Sequence, residues 1–553
     1  MRRPRWMAAV VMPLATALVI TSCGGDESGD DGDGSGANNS KNETGEITVF
    51  GTEPERPLVP GDTTETGGGK IVDAMFTGLV DYDPVSGEPR NAHADEITPS
   101  EGGKVMTFKL KEGWTFHDGS AVTAKSYVDA WNYTAYGPNG QQGASFFAQV
   151  AGFDQVNLPD PDGPEGPKPA PTPPAKTMTG LEAVDDLTLK VTFTQPHPIF
   201  RVKLGYPAFS PLPESFFKDK AAYEAKPVGN GPWKFISRVP EQEVVVERYD
   251  DYKGEDKGKI KTVRFTFPES ADAAYAAVKG NQLDFLDTIP PSGLAGNIWQ
   301  TDLEGRSGSA EILSLQAIAF PLYDPKYANA DFRKAISMAI DRETITKTIF
   351  EGNRKPVDGY AVPKVPGWTD GACGDLCKFN PDEAKRLFEA SNFSGRLEIT
   401  SNADGGHKEW IEAACGSIKN TLGLDCVFVP VQTFGEVREK INAREMTQVY
   451  RSGWLADYPL VENFLNPIYR TGGSSNDNGY SNPAVDAKLA EADSAPTEEE
   501  AYELYHEAEE MIAEDMPAVP LWNTPAQYGW STKVKNVRMT PDRELDLSYV
   551  EIA

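Results

Sequence analysis

The stretch FKLKEGWTFHDG at residues 108–119, followed by VTAKSYV at residues 122–128, sets the architecture of this chain. Phe108 and Leu110 alternate with lysines, which predicts a strand with one buried face. The Asp-Gly pair that ends the first stretch is typical of a hairpin turn. Thr123 stands where a side chain caps the start of a helix. A strand, a turn and a helix in immediate succession predict a mixed α/β body.

Helical patterns recur further along the chain. One apolar stripe has the i, i+3, i+4 spacing of a helix buried on one face and consists of Phe332, Ala335, Ile336, Ala339 and Ile340. Asp331 precedes this stripe and is its predicted N-cap. Thr497 and Glu500 have the spacing of a capping box at the start of a second helix. Strands and helices interspersed in this way favour α/β over an all-α or all-β fold.

Length and charge narrow the class of protein. The chain has 553 residues, which is enough for several lobes, and 39% of them are hydrophobic, which is enough for sizeable cores. It carries 83 acidic against 53 basic residues and a formal charge of −30. Nucleic acids and anionic membranes both need a basic face, so this balance disfavours them as partners.

The first residues read as an export signal. Three arginines precede an apolar run from Met7 to Ile20, which is too short for a membrane span, and Cys23 follows soon after it, so residues 1–22 are the predicted signal peptide. The small residues before Cys23 resemble a bacterial lipobox, whose cysteine becomes lipidated. The alternative is an ordinary signal peptide cleaved nearby. Residues 23–46 have few groups to bury, which predicts a disordered tether to a body held outside the cytoplasmic membrane.

Export makes disulfides the expected state of the remaining cysteines. Cys373, Cys377, Cys415 and Cys426 allow three pairings. Local pairing, Cys373 with Cys377 and Cys415 with Cys426, closes the shortest loops and is the predicted arrangement. A zinc site is the competing interpretation, but the Cys-x3-Cys spacing is poor for zinc and the chain has only five histidines.

The motifs of common enzyme classes are missing from the sequence. It contains no G-x-S-x-G, Walker, H-E-x-x-H or C-x-x-C motif. The histidines are His93, His117, His197, His407 and His506. None has a neighbour at metal-ligand spacing. We therefore expect a non-enzyme with no cofactor and no metal, with an exported hydrolase as the alternative of a different class.

Five fragments in order carry a resemblance to a known family. They lie at residues 75–84, 108–119, 122–128, 227–234 and 331–342. They resemble the extracytoplasmic solute-binding proteins of peptide and nickel ABC importers, solute-binding protein family 5. Ala121 departs from that pattern, in which a proline is usual.

The resemblance implies a periplasmic-binding-protein-like clamshell of class II, with two lobes and an extra third domain. The division that follows is a signal peptide at 1–22, a lipidated tether at 23–46, domain I at 47–76, 177–234 and 524–553, domain II at 77–156, a Pro-rich insertion at 157–176, and domain III at 235–523. Such proteins close on a ligand by hinge motion and present it to a membrane permease.

The segment RSGWLADYP at residues 451–459 carries the sharpest site signal. By resemblance, Asp457 holds the α-ammonium of a peptide, since a buried cation needs a carboxylate partner. Arg451 would bind the ligand carboxylate, assisted by His407. The competing interpretations are a structural ion pair between Arg451 and Asp457, and a solvated loop around His407.

Aromatic residues are expected in the same site. The resemblance places Trp454, Tyr458 and Trp233 on the wall of the cleft, and for each the alternative is a plain core position. The implied function is capture of peptides, oligopeptides foremost, by a monomeric lipoprotein at the outer face of the bacterial cell membrane. Its partners would be the ABC permease subunits and their cytoplasmic ATPases. Nickel chelate, haem or another small solute is the alternative ligand.

Overall fold

The computed structural model describes residues 41–42, 44–158, 171–403 and 406–553. The predicted signal peptide, Cys23, most of the tether and the centre of the Pro-rich insertion lie outside these residues. Across the described ranges, none of the helices combines the length and the apolar composition that a membrane crossing requires.

Strands and helices alternate along the chain. The strands are β1 (Glu46–Phe50), β2 (Val80–Tyr82), β3 (Pro89–Asn91), β4 (Ala94–Ser100), β5 (Val105–Leu110), β6 (Leu181–Asp185), β7 (Thr188–Thr192), β8 (Trp233–Val239), β9 (Glu243–Arg248), β10 (Thr262–Thr266), β11 (Phe285–Leu286), β12 (Ser307–Ala310), β13 (Ser314–Ala319), β14 (Lys355–Pro356), β15 (Leu397–Asn402), β16 (Cys426–Val431), β17 (Val449–Leu455), β18 (Ala518–Asn523), β19 (Ala526–Trp530), β20 (Val534–Lys535) and β21 (Glu551–Ile552). The α-helices are α1 (Thr66–Met75), α2 (Ala124–Ala135), α3 (Phe200–Lys203), α4 (Glu214–Lys218), α5 (Lys220–Ala225), α6 (Ala271–Lys279), α7 (Pro291–Leu294), α8 (Ile298–Asp302), α9 (Ala330–Met338), α10 (Arg342–Ile349), α11 (Pro381–Ser391), α12 (Lys408–Leu422), α13 (Phe434–Asn442), α14 (Val461–Tyr469), α15 (Pro483–Asp493) and α16 (Glu498–Asp515).

A seven-stranded sheet forms the first lobe, in the order β12-β19-β11-β1-β10-β9-β8. β1 pairs parallel with β10, and β19 pairs antiparallel with both β11 and β12. The sheet therefore takes in β9 to β12, which the sequence-based division grouped with domain III at 235–523. The structure also orders the chain before residue 47, because Asn42 is buried and accepts a hydrogen bond from the Ile552 N–H at 2.8 Å. The boundary predicted at residue 46 thus falls inside the folded part.

A six-stranded sheet forms the other lobe, in the order β14-β18-β13-β17-β15-β16. Its central strand β13 pairs antiparallel with β17 and β18, while β15 pairs parallel with β16 and β17. β17 is paired on both sides at Val449 and Tyr450, while its C-terminal end pairs with β13 alone, up to Leu455.

A four-stranded antiparallel sheet, β4-β5-β7-β6, contains the stretch that opened the sequence argument. Phe108 is fully buried in β5, as its alternation predicts. Gly119 lies at φ +84° in the turn, and the Asp118 carboxylate accepts from the Ser120 N–H at 2.9 Å. Thr123 is the N-cap of α2, and its N–H donates to the Ser126 hydroxyl at 3.2 Å. The predicted strand, turn and cap are confirmed.

The stripe predicted between residues 332 and 340 is buried along its whole length. Its cap, however, is Asn329 and not Asp331. The Asn329 side chain accepts from the N–H groups of Asp331 at 2.8 Å and of Phe332 at 3.4 Å. The helix starts at Ala330, two residues before the apolar pattern, so the predicted N-cap is wrong. At the second helix, Thr497 caps α16 by accepting from the Glu500 N–H at 3.2 Å.

A buried ion pair joins the two lobes. Lys203, at the end of α3, donates to Glu462 of α14 at 3.1 Å, and both side chains are less than a tenth exposed. Glu462 also accepts from Asn466 at 2.8 Å and from the Tyr458 hydroxyl at 2.7 Å. The carboxylate is thus neutralised and fully hydrogen-bonded, as a charge this deep requires.

Both predicted disulfides are present. Cys373 is bonded to Cys377, and Cys415 of α12 is bonded to Cys426 at the start of β16. The zinc interpretation of these cysteines is therefore wrong. The second disulfide fixes the helix α12 to the adjacent edge strand β16.

Replacing Cys415 and Cys426 together by serine is expected to lower the free energy of unfolding by about 2–3 kcal/mol, because the bond limits the freedom of the unfolded chain. Thermal melting followed by circular dichroism measures the change. The matched control replaces Cys373 and Cys377, which close a much shorter loop and should cost less stability. A larger loss in the control would contradict the ranking by loop length.

Candidate functional site

A cavity of about 1190 Å³ lies between the two lobes. Its wall is built from residues 63–90, 205–210 and 540–548 on one side and from residues 451–459 on the other. This volume is larger than the roughly 300–1,000 Å³ of most small-molecule sites. The cavity is thus large enough for a ligand of several residues.

The segment 451–459 forms the wall contributed by the six-stranded sheet. β17 ends at Leu455, and the chain then turns into α14. Arg451, Trp454, Asp457 and Tyr458 all line the cavity. The structure therefore brings these four residues of the predicted site together.

Asn463 of α14 fixes the geometry of this wall. It is fully buried, and its side-chain oxygen accepts from the Trp454 indole N–H and from the Asp457 backbone N–H, each at 2.9 Å. Its amide nitrogen donates to the Asp457 carboxylate at 3.0 Å. Asn463 thus aims both the indole and the carboxylate, a role that sequence reasoning missed although the residue follows the motif closely.

Asp457 has no cationic partner among the described residues. Burial raises the pKa of its carboxyl to about 6, opposed by the Asn463 hydrogen bond and reinforced by the charge of Glu462. A carboxyl with this pKa is mostly ionised at neutral pH. The site therefore holds a negative charge that only a neutral amide stabilises.

Arg451 has the opposite charge and is equally unmatched in the described part of the chain. Its Nε donates to the Gln316 side chain at 3.3 Å, and burial lowers its pKa to about 10, so it stays cationic. The guanidinium lies along the strand over Gly453. A Cβ placed on that glycine would be only 2.7 Å from the Arg451 Nη2. The structural ion pair between Arg451 and Asp457 does not form, and that alternative is wrong.

The other predicted site residues differ in their positions. Trp233 and Tyr458 touch the cavity but are only 2% and 3% exposed, so most of each ring is core. The Tyr458 ring carries the Lys203 ammonium 5.6 Å from its centre. His407 is not among the lining residues. It lies beside Arg451, whose charge helps burial lower the pKa of the imidazole to about 3.

An acidic cluster faces the cavity from the first lobe. The carboxylates of Asp73, Asp542 and Glu544 lie within 4.8 Å of one another. Burial and the charge of Asp542 raise the pKa of Glu544 to about 8, and burial with Glu544 and Asp542 raises that of Asp73 well above its usual value. This wall favours cationic over anionic groups. Sequence reasoning missed it because the chain brings these distant residues together only in the fold.

Comparisons with known proteins agree with this architecture. The model of the bacterial extracellular solute-binding proteins, family 5 Middle, matches residues 88–476. The oligopeptide-binding protein OppA of Bacillus subtilis is 24% identical over 541 residues, covering 94% of both chains. The periplasmic OppA of Escherichia coli is 26% identical and covers 81% of both chains.

Solved structures show the same fold. The murein tripeptide-binding protein MppA of Escherichia coli superposes with a TM-score of 0.76 at 22% identity, covering 92% of this chain and 99% of its own. Haemophilus influenzae OppA, in complex with the peptide RPPGFSPFR, gives a TM-score of 0.75 at 24% identity over 92% and 99% of the chains. The two-lobed periplasmic-binding-protein fold predicted from the sequence is confirmed.

Proposed function

The chain belongs to family 5 of the bacterial extracellular solute-binding proteins, and on this premise we propose that it captures peptides between its lobes for an ABC importer. Relatives named as oligopeptide- and dipeptide-binding proteins support this assignment. In this role the protein binds and releases its ligand without chemical change and passes it to the permease subunits and their ATPases.

One observation carries the proposal. Asp457 and Arg451 are opposite charges on one cavity wall, and neither has a protein counter-charge in the described chain. A buried charge without a partner is costly. A peptide supplies the two missing charges, with its α-ammonium at Asp457 and its carboxylate at Arg451. Trp454, Tyr458 and Trp233 then contact the ligand between its ends.

Fluorescence titration tests this function. The chain has ten tryptophans, and Trp454 and Trp233 line the cavity. Adding a free tetrapeptide should change the emission, whereas the same peptide acetylated and amidated at its ends should bind far more weakly. Mass spectrometry of the mixture should recover the intact peptide. Cleavage products would favour the exported hydrolase, and no response to any free peptide would contradict the proposal.

The alternative ligands of the family are less well matched. Nickel and haem are usually held by histidine or cysteine. Within the described ranges, the grouping of potential metal-ligating side chains consists of carboxylates alone, Asp73 with Asp542 and Glu544. The cysteines of the folded body are bonded in pairs. Peptide capture therefore fits the site better than metal or haem capture.

We also propose that lipid on Cys23 holds the monomeric protein at the outer face of the cell membrane. The support is the basic, apolar leader followed by small residues and Cys23. The acidic body itself is not suited to an anionic lipid surface. The membrane contact would therefore be the anchor alone.

Replacing Cys23 by alanine is expected to block processing or to release the protein into the soluble fraction. One acyl chain binds a membrane only marginally, so firm anchoring implies more than one chain on the mature N-terminus. Detergent partition and mass spectrometry of the N-terminal peptide measure both points. A native protein that is soluble and carries no lipid would contradict the anchor.

A further inference from the structure

The acidic cluster of Asp73, Asp542 and Glu544 lies in the cavity without a cationic partner. All three residues line the cavity, and their carboxylate oxygens lie within 4.8 Å of one another. Within the described ranges, none of the three forms a salt bridge with a lysine, an arginine or a histidine. Carboxylates this close repel one another, so a positive charge from outside the protein would stabilise the cluster.

Two separate segments hold the cluster in place. Asp73 lies on α1, and the other two carboxylates belong to the turn 540–544. In this turn the Thr540 N–H donates to the Glu544 carbonyl at 2.9 Å, and the Glu544 N–H donates to the Thr540 hydroxyl at 3.0 Å. Asp542 is exposed and Glu544 is half-buried, so their carboxylates are open to a ligand in the cavity.

Two cations of the same wall are paired with a different carboxylate. Lys70 donates from its Nζ to Asp287, and both side chains are less than a tenth exposed. The Arg543 Nε lies 3.7 Å from the same Asp287 oxygen. Lys70 and Arg543 line the cavity, but the acid that they contact does not. The positive charges of the wall therefore leave the acidic cluster unpaired.

The Tyr206 hydroxyl is a second, independent sign of a ligand. Tyr206 lines the cavity on the same side as the cluster and is 9% exposed, and in the described chain its hydroxyl has no hydrogen-bond partner. Its ring lies 4.9 Å from Phe146 and 6.2 Å from Tyr458. The charges of Asp457 and Asp73 add to burial in raising the pKa of the hydroxyl, which is thus within electrostatic range of both acids. A phenol oxygen here can accept a hydrogen bond from a cationic group.

The two ends of a peptide do not balance this wall. In the proposed function the α-ammonium pairs with Asp457 and the carboxylate pairs with Arg451, both on the opposite wall of the cavity. Arg90, another base of the lining, is already paired with Asp81 at 3.1 Å and with Asp256. The acidic cluster therefore needs a further positive charge, and a peptide whose ends are placed can bring it only on a side chain.

We propose that Asp73, Asp542 and Glu544 form a subsite for the side chain of a lysine or arginine in the bound peptide, so that the protein prefers basic peptides. This inference rests on the proposed function. An ammonium or guanidinium donates to more than one carboxylate at once, and the Tyr206 hydroxyl is a further acceptor. Burial and mutual repulsion raise the pKa of Asp73 and of Glu544, and a bound cation lowers both by replacing the proton that the cluster holds.

Calorimetry with matched peptides tests the preference. The peptides are tetraalanines that carry, at each position in turn, either lysine or norleucine, which is lysine without its ammonium. The titrations use about 0.15 M salt, which screens distant surface charges. At the best position, the lysine peptide should bind the wild-type protein at least about tenfold more tightly than the norleucine peptide. Asp73→Asn combined with Glu544→Gln should reduce this ratio to about threefold or less.

Control variants separate the subsite from the general acidity of the protein. Glu389→Gln removes a carboxylate from the exposed face of α11 and should leave the ratio unchanged. The double variant removes repulsion between carboxylates, so its melting temperature should not fall below that of the wild type. Glu544→Gln alone should lower the ratio in the same direction, and it provides a second variant if the double variant does not fold.

A divalent metal ion is the competing occupant of three carboxylates. The charges of Lys70 and Arg543 on the same wall oppose a doubly charged ion more than a singly charged one. Titration with calcium chloride and zinc chloride should therefore show no binding that the double variant loses. Metal binding that depends on the cluster, together with no preference for lysine, would overturn the inference.

The remaining outcomes are equally decisive. Equal affinity of the lysine and norleucine peptides at every position overturns the inference without affecting peptide capture, and so does a lysine preference that survives the double variant. Failure of every peptide to bind the wild-type protein contradicts peptide capture and the inference together.

Discussion

Replacing Asp457 by alanine is expected to weaken binding of a free peptide by about 3–5 kcal/mol, or roughly 10²- to 10³-fold or more. Closure of the lobes on a peptide would strip water from its ammonium, and the described structure offers no cation that already occupies this carboxylate. Removing the carboxylate leaves the ammonium buried without a counter-charge. Calorimetry of wild type and variant with the same tetrapeptide measures the loss.

Selectivity distinguishes a ligand contact from a structural role. An N-acetylated peptide should bind the wild type poorly and should be little affected by Asp457→Ala. Asp382→Ala removes an equal charge from the exposed face of α11 and should change neither affinity. Equal losses for free and acetylated peptide, together with a lower melting temperature, would show that Asp457 supports the fold and does not bind the ligand.

The same residue predicts how affinity depends on pH. The pKa of Asp457 in the free protein is raised to about 6, and a bound ammonium favours the ionised form and lowers that pKa. Affinity should therefore be highest near neutral pH and fall by up to about tenfold per pH unit below about pH 6, with a second fall above about pH 8, where the α-amino group of the free peptide loses its proton. Titrations from about pH 5 to about pH 8 follow the acid side of this curve, and the Asp457→Ala variant should lose the fall at low pH.

Replacing Glu462 by alanine is expected to lower the free energy of unfolding by about 3–5 kcal/mol, the usual cost of breaking a buried ion pair. The Lys203 ammonium loses its carboxylate partner at 3.1 Å, and Asn466 and the Tyr458 hydroxyl lose an acceptor. Thermal or urea melting followed by circular dichroism measures the change.

Two further variants separate this effect from the loss of any glutamate. Glu514→Ala breaks the pair with Lys334, in which the glutamate is largely exposed, and should cost about 0–1 kcal/mol. Combining Lys203→Met with Glu462→Leu removes both charges and should restore most of the stability, because no unpaired charge is left. A Glu462→Ala melt that matches the Glu514→Ala melt would contradict the role of the buried pair.

Local patterns in the sequence predict individual elements well. The alternation around Phe108, the turn at Gly119 and the cap at Thr123 depend on neighbouring residues, and the structure has all three. The predicted N-cap of α9 is wrong because Asn329 and Asp331 are both good N-cap residues. The direction in which the chain enters the helix decides between them, and the local pattern does not contain it. The membership of β9 to β12 in the first sheet is set by distant pairing, which no local pattern records.

The residues of the candidate site also fall into those that a local motif predicts and those that only the fold brings together. Trp454, Asp457 and Tyr458 are adjacent in the chain, so their motif places them together on one wall. The acidic cluster joins Asp73 to Glu544 through the approach of two segments that are far apart in the chain. Charges that meet only in three dimensions cannot be paired from one sequence.

The position of β19 has a consequence for the order in which the exported chain folds. β19 fills the gap between β11 and β12, yet every strand of the six-stranded sheet lies between β12 and β19 in the chain. Contacts this distant close slowly, and the open edges of β11 and β12 stay exposed to wrong partners until they do. The lobe that begins first during translocation therefore finishes last. A nascent chain halted before Ala526 holds a second lobe with its six strands present beside a first lobe whose sheet is split.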